Sequence, residues 1–128
     1  MIHHTAVWAA DLEKMKDFYS QYFGGVPGAI YHNRKTGFKS YFLAFGDGSR
    51  LELMQSPAVT GARNSADKEL LGLAHISFSV GSVAAVDELT SRLVQDGYAL
   101  ASAPRTTGDG YYESCVFDPE LNRIEITV

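Results

Sequence analysis

Residues 50–53 read Arg50-Leu51-Glu52-Leu53, and residues 123–126 read Arg123-Ile124-Glu125-Ile126. One short pattern is written twice, and each copy follows a histidine that opens a strand-like run. The first is His4 in HTAVWA and the second is His75 in HISFSV. The offset is 71 residues between the histidines and 73 between Glu52 and Glu125. Even the loops echo, since Gly37-Phe38 matches Gly110-Tyr111 at the same 73-residue offset. The chain therefore reads as two similar halves, each with one His near its start and one Glu near its end.

Working outward, residues 2–9 (IHHTAVWA) read as a strand. Asp11 is a helix N-cap, and Leu12, Met15, Phe18, Tyr19, Tyr22 and Phe23 follow at helical spacing until Gly24-Gly25 stops the run. A short aromatic segment at 29–32 precedes a turn at 33–37. Residues 38–45 and 49–55 are strands joined by the hairpin signal Asp47-Gly48. In the second half, 73–80 is a strand, and Ser82 caps a helix with the stripe Val83, Val86, Leu89, Leu93 and Val94, closed by Gly97. A short segment follows at 98–101, then a Gly-rich turn from Pro104 to Gly110. Strands at 111–117 and 123–128 flank the turn DPELN. The order is β-α-β-β-β, twice, which is an α+β class. It predicts one domain over 1–128, with module 1 at about 1–56, a linker at about 57–71 and module 2 at about 72–128.

The 128 residues suit one domain with a real core, and the 45% hydrophobic and 20% charged content is ordinary for a globular chain. A net charge of −4 without a basic run argues against nucleic acid or an anionic membrane as partner. Cys115 is the one cysteine, so no internal disulfide can form, and a reducing, cytoplasmic setting is expected. No stretch is long or apolar enough to span a bilayer, and the N-terminal residues do not read as a basic-then-apolar signal pattern.

Side chains in a strand alternate faces. One face of the second copy carries His75, Ser77 and Ser79, and the other Ile76, Phe78 and Val80. Leu51 and Leu53 bracket Glu52, as Ile124 and Ile126 bracket Glu125. A glutamate inside an apolar strand is costly unless it is paired or bound to a cation. Finding it twice, at equivalent places with a histidine each time, argues for a shared partner. His4, Glu52, His75 and Glu125 supply the mixed N/O donors that suit one divalent transition ion such as Ni, Zn, Mn, Co or Fe. The bland alternative is a local ion pair, which the i,i+2 spacing allows for Arg50 with Glu52 and for Arg123 with Glu125. His3 and His32 have no counterpart in the other copy and are given no role.

With these residues in hand, the chain resembles the vicinal oxygen chelate superfamily over essentially its whole length. The resemblance rests on the opening strand with His4, on DLEKMKDFYSQYFGG, RLELM and LAHISFSV, and above all on the ending DPELNRIEITV. It implies a pair of βαβββ modules whose sheets curl around a metal cup, and a homodimer. The His, Glu, His, Glu order is similar to that of bacterial glyoxalase I, which implies a lactoylglutathione lyase-like enzyme with Glu125 as base and Glu52 next in line. The family's glutathione-holding Arg and Asn are replaced here by Trp8 and Ser56. That implies a different thiol or a different small-molecule substrate, with Trp8 and Met54 lining the cup. Arg105 and Tyr111, at the loop 106–110, are expected to touch the ligand. Tyr41 and Tyr112 are further candidates for aromatic walls. The rival readings are a non-catalytic small-molecule binding protein of the bleomycin-resistance type and a related metal-dependent dioxygenase.

Overall fold

Asp11 begins the first helix of the computed structural model, which describes residues 1–128. Its carboxylate accepts the backbone N–H of Lys14 at 3.0 Å and so satisfies one of the donors that a helix start leaves unpaired. Helix α1 runs Leu12–Phe23 and ends where Gly24 adopts a left-handed conformation at φ 71°, which glycine reaches without a Cβ clash. Leu12, Met15, Phe18, Tyr19 and Tyr22 fall on one stripe and are all buried. The helix aromatics Phe18, Tyr19 and Tyr22 are thus core residues.

Around α1 the first unit, Met1–Ala62, holds strands β1 (Thr5–Trp8), β2 (Val26–Pro27), β3 (Tyr31–His32), β4 (Lys39–Ala44) and β5 (Arg50–Gln55). The order is β1-β5-β4-β2, with β3 also on β4. β1 lies parallel to β5, and β4 is antiparallel to both β5 and β2. Leu43, Leu51 and Leu53 face the helix and are 0–3% exposed. Burying each such side chain is worth roughly 1.5–3 kcal/mol, and this load keeps the register from slipping by one residue.

The second unit, Arg63–Val128, repeats the plan with β6 (His75–Ser79), α2 (Val83–Gln95), β7 (Leu100–Thr106), β8 (Tyr112–Phe117) and β9 (Arg123–Thr127). The order is β6-β9-β8-β7, with β6 parallel to β9. Ser82 caps α2 by accepting the Ala85 N–H at 3.1 Å. Val86, Leu93, Val116, Ile124 and Ile126 are fully buried. Between helix and sheet the hydroxyls of Thr90 and Ser114 meet at 2.6 Å, so neither is left unsatisfied.

Three features differ from the sequence reading. The turn expected from Pro104 to Gly110 is shorter, because β7 continues through Pro104 to Thr106. Proline is tolerated there since β7 is the edge strand, and its register against β8 shifts on either side of Ser102. The segments at 29–32 and 98–101 belong to short or edge strands, not isolated pieces. Residues 63–71, expected as linker, are tied to the second unit. The Arg63 guanidinium donates to the Leu71 carbonyl, Asn64 bonds Asn122, and Arg123 pairs with Glu69 at 3.5 Å. No helix is long and apolar enough to cross a membrane.

Candidate metal centre

The parallel pairing of first and last strands explains how each unit joins its own His and Glu. In the first unit Ala6 lies opposite Glu52, and in the second Ser77 lies opposite Glu125. A residue two positions earlier on the first strand shares that face. That position is His4 in one unit and His75 in the other. His4 Nε2 lies 3.4 Å from Glu52 Oε2, and His75 Nε2 lies 3.2 Å from Glu125 Oε2. The carboxylates are mostly covered, with side chains 16% and 19% exposed, while the imidazoles are more open at 34% and 44%.

The arginines do not form the local ion pairs that the i,i+2 spacing allows. Arg50 lies over the Phe42 ring at 4.2 Å and approaches His3 Nε2 at 3.4 Å. Arg123 turns to Glu69 and to the Ser65 carbonyl, and its guanidinium covers Phe117 at 5.1 Å. Each glutamate is therefore left facing its histidine.

Further residues shape each pair. Phe42, directly opposite Glu52 on β4, meets the His4 ring edge-on at 5.2 Å. His3, given no role from sequence, has its Nδ1 2.8 Å from Nδ1 of His4, so one of the two rings donates to the other. Only the missing counterpart in the second half spoke against it, and nothing in the sequence marked the contact.

The Ser77 hydroxyl donates to Glu125 Oε1 at 2.7 Å. Strand alternation had already placed Ser77 on the histidine's face, which was the available signal. Glu113 on β8, two residues before the Cys115 that lies opposite Glu125, also contacts Glu125. Burial pushes the Glu113 carboxyl above the usual carboxylate range, and the charge of Glu125 adds to this, while Arg105 opposes it. Arg105 sits opposite Glu113 in register, 3.9 Å from its carboxylate, and donates to the Ser102 hydroxyl.

The expected cup wall is an aligned row. Tyr31, Ser40, Met54 and Trp8 lie side by side across β3, β4, β5 and β1, on the face of Glu52. Phe38 bridges them, with its ring 6.2 Å from Trp8 and 6.0 Å from Tyr31. Trp8 remains 46% exposed and Tyr31 56% exposed, while Ser40 beneath them is buried. Tyr111 is 60% exposed beside the Thr107–Gly110 turn, its N–H donating to the Thr107 hydroxyl at 3.1 Å. Tyr41 and Tyr112, considered as walls, instead face the helices. Their hydroxyls donate to Glu13 and Asp87, each at 2.7 Å. The period-two alternation assigns both to the helix side, because Tyr41 is in register with Leu53 and Tyr112 shares a face with buried Ser114 and Val116.

No three or more His, Cys, Asp or Glu side chains of the structure gather into a group that could hold a metal ion. Two ligands bound to one ion at ordinary Zn–N and Zn–O lengths stand about 2.9–3.4 Å apart. The 3.4 and 3.2 Å separations lie within that range and are also those of a direct His–Glu ion pair, so each unit supplies one nitrogen and one oxygen donor of the right chemistry for a divalent cation but not a complete site.

A family model described as the Glyoxalase/Bleomycin resistance protein/Dioxygenase superfamily matches residues 1–126. Among solved structures, a glyoxalase family protein from Enterococcus faecalis is 26% identical with a TM-score of 0.80, the match covering 100% of this chain and 97% of that one. A glyoxylase/bleomycin resistance protein/dioxygenase domain from Frankia sp. EAN1pec is 18% identical, with a TM-score of 0.82 and coverage of 100% and 96%. The trypanothione-dependent glyoxalase I of Leishmania major is 22% identical, with a TM-score of 0.76 and coverage of 99% and 85%. No curated protein is close enough in sequence to match.

Proposed function

The chain belongs to the Glyoxalase/Bleomycin resistance protein/Dioxygenase superfamily, and on that premise we propose that it is a divalent-metal-dependent lyase or isomerase of the glyoxalase I kind. Its substrate is a small molecule with two adjacent oxygens, such as the hemithioacetal of an α-oxoaldehyde. The observation that carries this reading is the duplicated His–Glu pair with matching 3.4 and 3.2 Å separations. His4, Glu52, His75 and Glu125 would hold one ion, nickel or zinc first. A bound dication supplies positive charge to the two substrate oxygens and lowers the cost of negative charge that develops there as a proton leaves carbon.

The chain's own groups do the rest. Glu125 takes the proton from one carbon and returns it to the next, with Glu52 as the alternative base. Trp8 and Met54 hold the apolar part of the substrate. Arg105, engaged with Glu113, acts on the carboxylate cluster around Glu125 more than on a substrate anion. Tyr111, exposed beside its turn, is the group on that loop free to meet a ligand. The protein works as a cytoplasmic homodimer in this reading, consistent with a lone cysteine and a superfamily built from paired modules.

Metal analysis tests the proposal. Purified protein should carry close to one divalent ion per site, or gain thermal stability on adding nickel or zinc, since a ligand that binds only the folded state stabilises it. Turnover of methylglyoxal hemithioacetals with several thiols then identifies the reaction. The exposed Trp8–Phe38–Tyr31 cluster supports a second reading, a binding protein that captures a planar apolar molecule without chemistry. Absence of metal and of any metal-induced shift, together with tryptophan fluorescence quenching by such a molecule, would favour it.

A further inference from the structure

The two His–Glu pairs are alike in spacing and unlike in support. Glu125 is held at both oxygens, by His75 Nε2 at Oε2 and by the Ser77 hydroxyl at Oε1. Glu52 faces His4 through Oε2, but the residue opposite it on the parallel strand is Ala6, which has no hydroxyl to offer. The register makes the comparison strict: Ala6 opposes Glu52 as Ser77 opposes Glu125. We infer that Ser77 is a positioning residue, which holds the Glu125 carboxylate with one oxygen turned toward His75 and so pre-aims the donor pair of the second unit.

A carboxylate with one oxygen bonded to a hydroxyl presents a single oxygen on the other side. It is pre-aimed and loses less rotational freedom when it binds an ion or meets a proton. A carboxylate without such a tether can rotate and offer either oxygen. The inference rests on the metal-binding reading above and adds to it that the His75–Glu125 pair is tethered where the His4–Glu52 pair is not.

The test is nickel titration by calorimetry on the substrate-free full-length protein, with thermal melting of the metal-free protein as control. Ser77→Ala should weaken nickel binding about tenfold, the lower end for loss of a group that supports a ligand. Ser77→Thr, which keeps a hydroxyl, should bind within about twofold of wild type. Ala6→Ser, which places a hydroxyl opposite Glu52, should tighten binding. Metal-free melting temperatures of Ser77→Ala and wild type should agree closely, because position 77 is exposed. Nickel affinity unchanged in Ser77→Ala, in a protein whose wild type binds nickel, overturns the positioning role alone. A wild type that binds neither nickel nor zinc overturns the metal-binding reading and this inference with it.

Discussion

The Tyr41 hydroxyl donates to the Glu13 carboxylate at 2.7 Å, tying the sheet of the first unit to its helix, and Tyr112 makes the same tie to Asp87 in the second. Lys16 also donates to Glu13 at 2.7 Å. The Lys16 and Tyr41 bonds hold the Glu13 carboxyl below its ordinary value of 4.5, and the Glu13 bond raises the Tyr41 phenol above 10.0. Stability from a depressed carboxyl is present above its unfolded value and lost as pH falls through its folded one. Stability from a raised phenol is present below its unfolded value and lost as pH rises through the folded one. Tyr41→Phe should therefore be least stable relative to wild type between about pH 5 and 10, with the gap closing at both ends. Both groups are solvent-accessible, so the gap should stay below about 1 kcal/mol. Chemical denaturation at pH 3, 7 and 11 measures it, and a pH-independent gap would contradict the argument.

Asp118 is 2% exposed, yet it is a carboxylate in a turn. Its Oδ1 accepts the backbone N–H groups of Glu120 and Asn122, each at 2.9 Å, and its Oδ2 accepts the Asn122 side-chain amide at 2.7 Å. These bonds hold Leu121 at φ 66°, a left-handed conformation unusual for a non-glycine residue, and they set the entry of β9 that carries Glu125. Asp118→Ala should cost about 1–2 kcal/mol, because part-buried backbone donors lose their acceptor. Urea denaturation reads that loss. Asp118→Asn should recover part of it.

Most of the architecture was readable because burial imposes periodicity. The Leu51/Leu53 and Ile124/Ile126 brackets, the α1 stripe and the caps Asp11 and Ser82 each report a local rule that the packing also obeys. The course of β7 was not readable, since Pro104 signals a turn and only the edge position of the strand removes the conflict. Tyr41 and Tyr112 have the aromatic character of cup residues, but their strand phase puts them on the helix side. At the candidate site, the repeat singled out the four His and Glu residues. The partners around them depend on neighbours distant in sequence: Glu113 beside Glu125, Phe42 beside His4, and Arg50 drawn away to Phe42. No short-range pattern encodes those contacts.

For the metal itself, His75→Ala removes one nitrogen donor and leaves Glu125 with the Ser77 hydroxyl and its neighbour Glu113. With nickel at about 100 times its dissociation constant, binding adds about 2.7 kcal/mol to wild-type stability. The variant should lose most of that increment while its metal-free stability changes little, because the side chain is 44% exposed. Melting curves with and without nickel give both numbers. An equal nickel-induced shift in the variant would remove His75 from the ligand set.

Proton transfer is separable from binding. On a confirmed substrate, Glu125→Gln keeps the shape and removes the base, so kcat should fall by about 10²–10⁴. Glu52→Gln should fall less if Glu125 is the base, and its larger effect should be on nickel affinity. Full turnover in Glu125→Gln with the ion still bound would pass the role to Glu52.

Trp8 decides what the apolar wall admits. It lies opposite Met54 on the face of Glu52 and is 46% exposed, so replacing it should move stability by no more than about 0.5 kcal/mol. An indole contributes area and a ring face but no charge for a carboxylate, whereas a guanidinium binds one through two parallel bonds. Wild type should therefore turn over the hemithioacetal of an aromatic thiol faster than that of glutathione. Trp8→Arg should reverse the order, raising kcat/KM for the glutathione adduct about tenfold and lowering it for the aromatic one. Steady-state kinetics on the two adducts, with nickel occupancy checked in both proteins, measures the exchange. An unchanged ratio in the variant would mean that the Trp8 face does not meet the thiol portion of the substrate.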